Sequence, residues 1–302
     1  MLNNINSLLT IFLKIGVLAA VTGLIIYGIK DEQTGPFPYE MKLSSTEPIT
    51  NDSLEFRLSI VPALKDKCRD NVPPGLARGI DLSYYQNNLI DKIDSSDSID
   101  FVYCRATHGL NTLDTSFQRN WNTAKQKGIR RGAYHYFEPD QDPVDQAVRF
   151  CRIIGPLEEG DMPPALDIEV TGKFSRSKAA ALREKVLVWL ELTELITKKR
   201  PVIYTYYHFA NDFLSDDELG EYPLWVARYP ESENPIKDRV DADLIPDGWD
   251  EWTLWQYSES ACIGNIPVCL DVFNGNKKEL EQWVLDNNVS YSPFKNNGYA
   301  AL

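Results

Sequence analysis

The chain opens with one long apolar run. After a proline-rich interval it settles into short β-rich apolar segments that alternate with amphipathic ones. From Leu8 to Tyr27 the run LLTIFLKIGVLAAVTGLIIY carries a single charge, Lys14. About 20 residues at 1.5 Å each match the apolar thickness of a bilayer, so the pattern predicts an uncleaved signal anchor and transmembrane helix within residues 1–30. Two alternatives stay open: a signal peptide with Ile15 to Ile29 as its core, removed on secretion, and a buried helix of the soluble domain. Residues 31–77 hold Pro36, Pro38, Pro48, Pro62, Pro73 and Pro74 without sustained periodicity, which predicts a linker or stalk with at most a short strand at Leu54 to Val61.

The regular pattern runs over residues 78–287 and leaves a tail at 288–302. Strand-like runs fall at Gly79 to Ser83, Phe101 to Ala106, Gly132 to Phe137, Ala165 to Glu169, Val202 to Tyr206, Leu224 to Arg228, Thr253 to Tyr257 and Leu270 to Phe273. Helical periodicity falls at Thr115 to Lys127, Pro143 to Ile154 (with Asp142 as cap and Pro143 in the first turn), Ser175 to Thr197 and Lys277 to Asp286. Such alternation is the signature of a parallel sheet wrapped in helices. The expected fold is α/β: an irregular TIM-like β/α barrel of about eight strands, with helices mainly after the first five. No internal repeat is present, and nothing indicates an oligomer.

A length of 302 residues suits one such barrel and leaves little room for a second enzyme domain. The formal net charge of −13 excludes a nucleic-acid binder that works by phosphate neutralisation. Fourteen acids lie between Asp212 and Glu259 against only Arg228, Lys237 and Arg239, so 11 of the 13 excess charges sit in one stretch. That stretch reads as a solvated acidic face; no run in it spells a calcium loop. In an exported chain thiols can oxidise. Cys104 and Cys151 lie in apolar patterns that suit buried free thiols, Cys68 falls in the linker, and Cys262 and Cys269 flank a turn-rich stretch whose ends can meet in a disulfide.

The most informative run is Pro163-Pro164-Ala165-Leu166-Asp167-Ile168-Glu169. On a strand, Asp167 and Glu169 share one face with Cα atoms roughly 6.5 Å apart. Two like charges this close cannot both ionise freely, and a carboxylic acid that keeps its proton is what protonates a departing sugar oxygen. Glu169 is the expected acid, with Asp167 ionised beside it. Asp81 ends the first strand, and the C-terminal strand ends of a barrel form its active rim. Aromatic side chains at the strand ends (Tyr134, Tyr136, Tyr204, Trp225 and Tyr257) suit sugar faces, while Arg105, His135 and Gln256 suit hydroxyl and amide groups.

These segments resemble the Chalaropsis-type lysozymes of glycoside hydrolase family twenty-five, which are N-acetylmuramidases. The likeness spans roughly 70% of the chain, from Arg78 to Asp286. It is carried in order by Gly79-Ile80-Asp81-Leu82-Ser83 with Gln86, Phe101 to Gly109, Arg131 to Phe137, Ala165 to Glu169, Val202 to Thr205, Leu224 to Tyr229, Trp255-Gln256-Tyr257 and Asp271 to Gly275. The resemblance implies peptidoglycan glycan strands as partner, cleavage of the β-1,4 bond between N-acetylmuramic acid and N-acetylglucosamine, no metal and no cofactor. It also implies Glu169 as the acid with Asp167 and Asp81 as its partners, and leaves open whether Asp167 attacks directly or steers the substrate's acetamido group.

Two departures stand out. His108 replaces the Glu usual in Ala-Thr-Glu-Gly, and Cys269 takes the position of a usual acid, for which Asp271, two residues on, is the expected partial substitute. A disulfide between Cys262 and Cys269 would remove that thiol. The departures keep a second class of function open, a sugar-binding barrel without turnover. A third reading, hydrolysis of another amino-sugar polymer such as chitin, lacks its longer acidic signature because position 165 is Ala.

Overall fold

The computed structural model describes residues 75–229, 245–263 and 266–289. The apolar run Leu8 to Tyr27, the short strand at Leu54 to Val61, Cys68 and most of the C-terminal tail lie outside the described residues. Among the described residues no helix is long and apolar enough to cross a membrane.

The elements in chain order are β1 (Arg78–Leu82), β2 (Phe101–His108), β3 (Thr112–Leu113), α1 (Phe117–Gln126), β4 (Arg130–Tyr136), α2 (Pro143–Ile154), β5 (Ala165–Asp167), α3 (Ala179–Thr197), β6 (Val202–Tyr206), β7 (Leu224–Ala227), β8 (Leu254–Ile263), β9 (Ile266–Phe273) and α4 (Lys277–Asp286). Two of the helices, α2 and α4, begin where the sequence supplies a side-chain cap. Asp142 accepts the N–H groups of Val144 and Asp145 at 2.9 and 3.1 Å before Pro143 opens α2, and Asn276 with Glu279 forms a capping box at α4.

The strand order is β1-β9-β8-β7-β6-β5-β4-β2-β3, and pairing of β1 with β2 closes eight of the strands into a barrel, with β3 outside the ring as a hairpin on β2. From β1 through β8 the ring neighbours run parallel, but β9 is antiparallel to both β8 and β1. This corrects the all-parallel expectation. Only Gly264 and Asn265 separate β8 from β9, far fewer residues than a parallel crossover requires. The stretch read as a turn between Cys262 and Cys269 is itself mostly ladder, with Cys262 opposite Pro267. The expected bridge therefore does not form: Cys262 is disulfide-bonded, but Cys269 is a free thiol, as are Cys104 and Cys151.

Large rings fill the barrel interior: Phe101, Tyr103 and Trp225 pack with Val202, Leu254 and Phe273. Burying each large apolar side chain contributes about 1.5–3 kcal/mol, which is how the closed ring repays its ordering. Two glycines make room for those rings. An added Cβ would lie 2.1 Å from the Phe101 ring at Gly79 and 2.3 Å from the Tyr103 ring at Gly132. These rings fill the N-terminal half, and the polar side chains gather at the C-terminal strand ends, the mouth of the barrel.

Candidate active site

Alternation along each strand selects which side chains face the mouth. Asp81 comes from β1, Arg105 from β2, Tyr134 and Tyr136 from β4, Asp167 from the end of β5, Tyr204 and Tyr206 from β6, Gln256 from β8 and Cys269 from β9. Register then sets them at common levels: Tyr136 pairs with Asp167, Asp167 with Tyr204, and Asp81 with Cys269. Glu169 follows β5 by two residues and is only half-buried, whereas Asp167 is 7% exposed.

A hydrogen-bond network holds Asp81. The hydroxyls of Tyr204 and Tyr229 both donate to Gln256 Oε1, at 2.9 and 2.6 Å, which turns the Gln256 amide so that Nε2 donates to Asp81 Oδ2 at 2.7 Å. The Cys269 thiol is a second donor to Asp81. Burial pushes Asp81 up to about 6 despite these donors and the Arg105 charge. Burial also raises Glu169 to about 6, aided by the charges of Asp81 and Glu259 and opposed by the Tyr204 hydroxyl, which has one proton for Glu169 and Gln256 to share.

Asp167 departs from expectation. Burial, then the charges of Glu169 and Asp81, push its carboxyl well above the usual range, with Arg105 opposing. Its Oδ1 is buried and makes no hydrogen bond among the described residues. The like charge of Glu169, which the sequence shows, does not by itself say which of the two carboxyls keeps the proton; burial, which the sequence does not show, decides it. The deeper burial of Asp167 makes it the harder of the two to ionise in the free protein.

Several expected site residues turn away. Asp271 is fully buried one level below the mouth, opposite Gly79 rather than Asp81, and its Oδ1 accepts from Trp225 Nε1 at 2.9 Å. It does not stand in for an acid at the rim, and Trp225 is an interior packing ring that holds it. His135 lies between inward Tyr134 and Tyr136, so it points out into the helix layer, where Thr107 and Gln146 lie 2.7 and 3.0 Å from its nitrogens and Trp189 stacks on the ring. Burial lowers it to about 3, so it is neutral. Tyr257 is likewise buried on the outer face against Trp255. Gln256 faces the mouth, but its amide is committed to protein partners.

Arg105, Tyr134, Tyr136 and Tyr204 do face the mouth, and Arg105 Nε is held 3.0 Å from Asp114 Oδ2. Tyr229, absent from the sequence-based set, continues the inward series Trp225, Ala227; that spacing was the signal for it. A cavity of about 270 Å³ opens at the opposite end of the strands, but its charges pair among themselves, Arg131 with Asp161 at 2.7 Å, and no catalytic carboxylate lines it.

The sequence pattern that defines the glycosyl hydrolases family 25 matches residues 80–266, more than half of the chain. The chain belongs to that family. Within it, the uncharacterised protein YegX of Escherichia coli is 35% identical over 68% of this chain and 72% of its own. Lysozyme M1 of Streptomyces globisporus is 28% identical over 67% of this chain and 69% of its own. The crystal structure of a bacterial lysozyme from Streptomyces coelicolor superposes with a TM-score of 0.60 at 27% identity, covering 71% of this chain and 99% of the other. Two corners of the mouth carry side chains other than carboxylates. Cys269 presents a neutral donor to Asp81, and His108 Nε2 lies 2.6 Å from Glu138 Oε1 with its ring over Tyr136, so the carboxylate at that corner comes from Glu138.

Proposed function

We propose that this chain is a peptidoglycan hydrolase, a lysozyme that cleaves the β-1,4 bond between N-acetylmuramic acid and N-acetylglucosamine. One observation carries the reading. Three carboxylates, Asp81, Asp167 and Glu169, converge at the mouth of a closed barrel, and the most accessible of them, Glu169, is raised to about 6. Glu169 donates its proton to the departing glycosidic oxygen as the C1–O bond breaks, and then takes a proton from the incoming water. Positive charge develops at the sugar ring above Asp167. The Asp167 carboxylate accepts the acetamido N–H of the substrate, and that hydrogen bond favours its ionised form when the substrate is bound. Asp81, held by Gln256 and Cys269, supplies a second fixed negative charge.

Purified peptidoglycan digested with the protein is expected to yield new reducing ends and muropeptides that terminate in N-acetylmuramic acid. Glu169→Gln is expected to reduce the rate by about 10²–10⁴. Full activity in that variant rules out Glu169 as the acid. A second reading, a barrel that binds glycan without turnover, is favoured by Cys269 in the acidic position with Asp271 buried beneath it. Glycan retained with no muropeptide released would select it.

We infer that the barrel lies outside the cytoplasm, tethered to the membrane by the run Leu8 to Tyr27. The length of that run and the disulfide at Cys262 support export to an oxidising compartment. A soluble protein whose N-terminus begins beyond Ile29 would instead select secretion after cleavage.

A further inference from the structure

Tyr84 and Tyr85 are among the most exposed large aromatic side chains described, at 44% and 71%, and they directly follow the strand that carries Asp81. Adjacent residues usually send their rings apart. Here the two centroids are 4.0 Å apart with planes at 34°. The local backbone builds this pair: Ser83 and Gln86 form a capping box around the single turn Tyr84–Gln86, with Gln86 Oε1 accepting from Ser83 N–H at 2.9 Å. Asp114 ties the turn to the neighbouring strand. Its Oδ2 accepts both the Tyr84 N–H and Arg105 Nε, each at 3.0 Å. The Arg105 guanidinium then lies 5.0 and 5.7 Å from the two ring centroids. Two exposed phenols are thereby held on a fixed cation whose charge also reaches Asp81 and Asp167 in the mouth.

Exposed apolar rings normally cost solubility and are mobile; a pair locked in place beside a catalytic cleft has the chemistry of a binding platform. The aromatic faces match the C–H face of a pyranose ring, and Arg105 matches a carboxylate such as the lactyl group on a muramic acid unit. We infer that Tyr84 and Tyr85 form a distal subsite on the β1–β2 flank of the mouth that stacks an amino-sugar ring of the same glycan strand, away from the bond being cut. The inference rests on the hydrolase reading for the identity of the ligand.

The test uses the full chain carrying Glu169→Gln, so that glycan is not consumed, and titrates peptidoglycan glycan fragments of increasing length by calorimetry. Tyr85→Ala in that background is expected to weaken binding of the longer fragments about five- to tenfold while the shortest fragment that binds is unaffected. Tyr85→Trp restores the long-fragment affinity. Equal affinities with and without Tyr85 at every length overturn the subsite, and so does a loss of the same size for all lengths. The two proposals fail separately: a protein that releases no muropeptides refutes the hydrolase reading, whereas the length dependence of binding decides the platform.

Discussion

Cys269 lies directly across the sheet from Asp81, and its thiol donates to the Asp81 carboxylate. A neutral donor thus occupies the place where a further acid would add a like charge. Burial and the neighbouring Asp81 and Asp271 push this thiol far above the usual range, so it stays protonated and cannot serve as a nucleophile.

The consequence is a predicted order among substitutions. Cys269→Ser keeps a donor and is expected to leave the acid limb of the pH–rate profile in place. Cys269→Ala removes the donor to the ionised form, so Asp81 rises further and the acid limb moves up by about one pH unit. Cys269→Asp adds a negative charge and moves it at least as far. Identical profiles for the Ser and Ala variants would show that the thiol does not hold Asp81.

The pH profile of the parent protein follows from two groups near the same value. Glu169, at about 6, must be protonated to act as the acid, so activity falls as pH rises through 6. Asp81, also at about 6, must be ionised, so activity falls as pH drops through 6. With substrate bound, when its hydrogen bond keeps Asp167 ionised, the pair titrates as a coupled system and kcat is expected to follow a narrow bell centred near pH 6. A rate that is level between pH 4 and 8 would separate these carboxylates from catalysis.

The interior glycines yield a packing prediction. Gly132→Ala would drive a methyl group into the Tyr103 ring, whose nearest atom lies 2.3 Å from the added Cβ. Tyr103 is fully buried and packs on Trp225 at 4.7 Å, so the ring has little room to retreat. The expected cost is about 1–3 kcal/mol of stability, measured by chemical denaturation. An unchanged midpoint would mean that the interior has slack on this side.

Much of the barrel was legible in the sequence because local rules and global fold agree there. The run Val202 to Tyr206 is a strand with the predicted bounds, and Pro143 to Ile154 is a helix behind the predicted cap. The direction of β9 was not legible from periodicity, since a strand pattern is the same in either direction and only the two-residue connection decides. The inward sets were readable by alternation, which is why Asp81, Asp167 and Glu169 came out together and why Tyr229 was within reach. His135 belongs to the outer face because it alternates with inward Tyr134 and Tyr136, and membership of the motif does not by itself say which face a residue occupies. Asp271 shows a different limit: alternation gave its face correctly but not its depth, and two residues along β9 separate the mouth from the packed interior.

That depth makes Asp271 a test of acid burial apart from catalysis. Its carboxyl is raised well above the usual range, first by burial and then by the charge of Asp81, with the Trp225 hydrogen bond opposing. A raised folded-state pKa means that the native protein binds more protons than the unfolded chain between the two values. The stabilisation is therefore complete below the unfolded value and is lost as pH rises through the folded one. Asp271→Asn keeps an acceptor for Trp225 Nε1 and removes the ionisable proton. The variant is expected to gain thermal stability over the parent at pH 8 and to gain little at pH 4, with hydrolytic activity retained. A loss of activity comparable to that of Glu169→Gln, with the fold intact, would return Asp271 to the catalytic set.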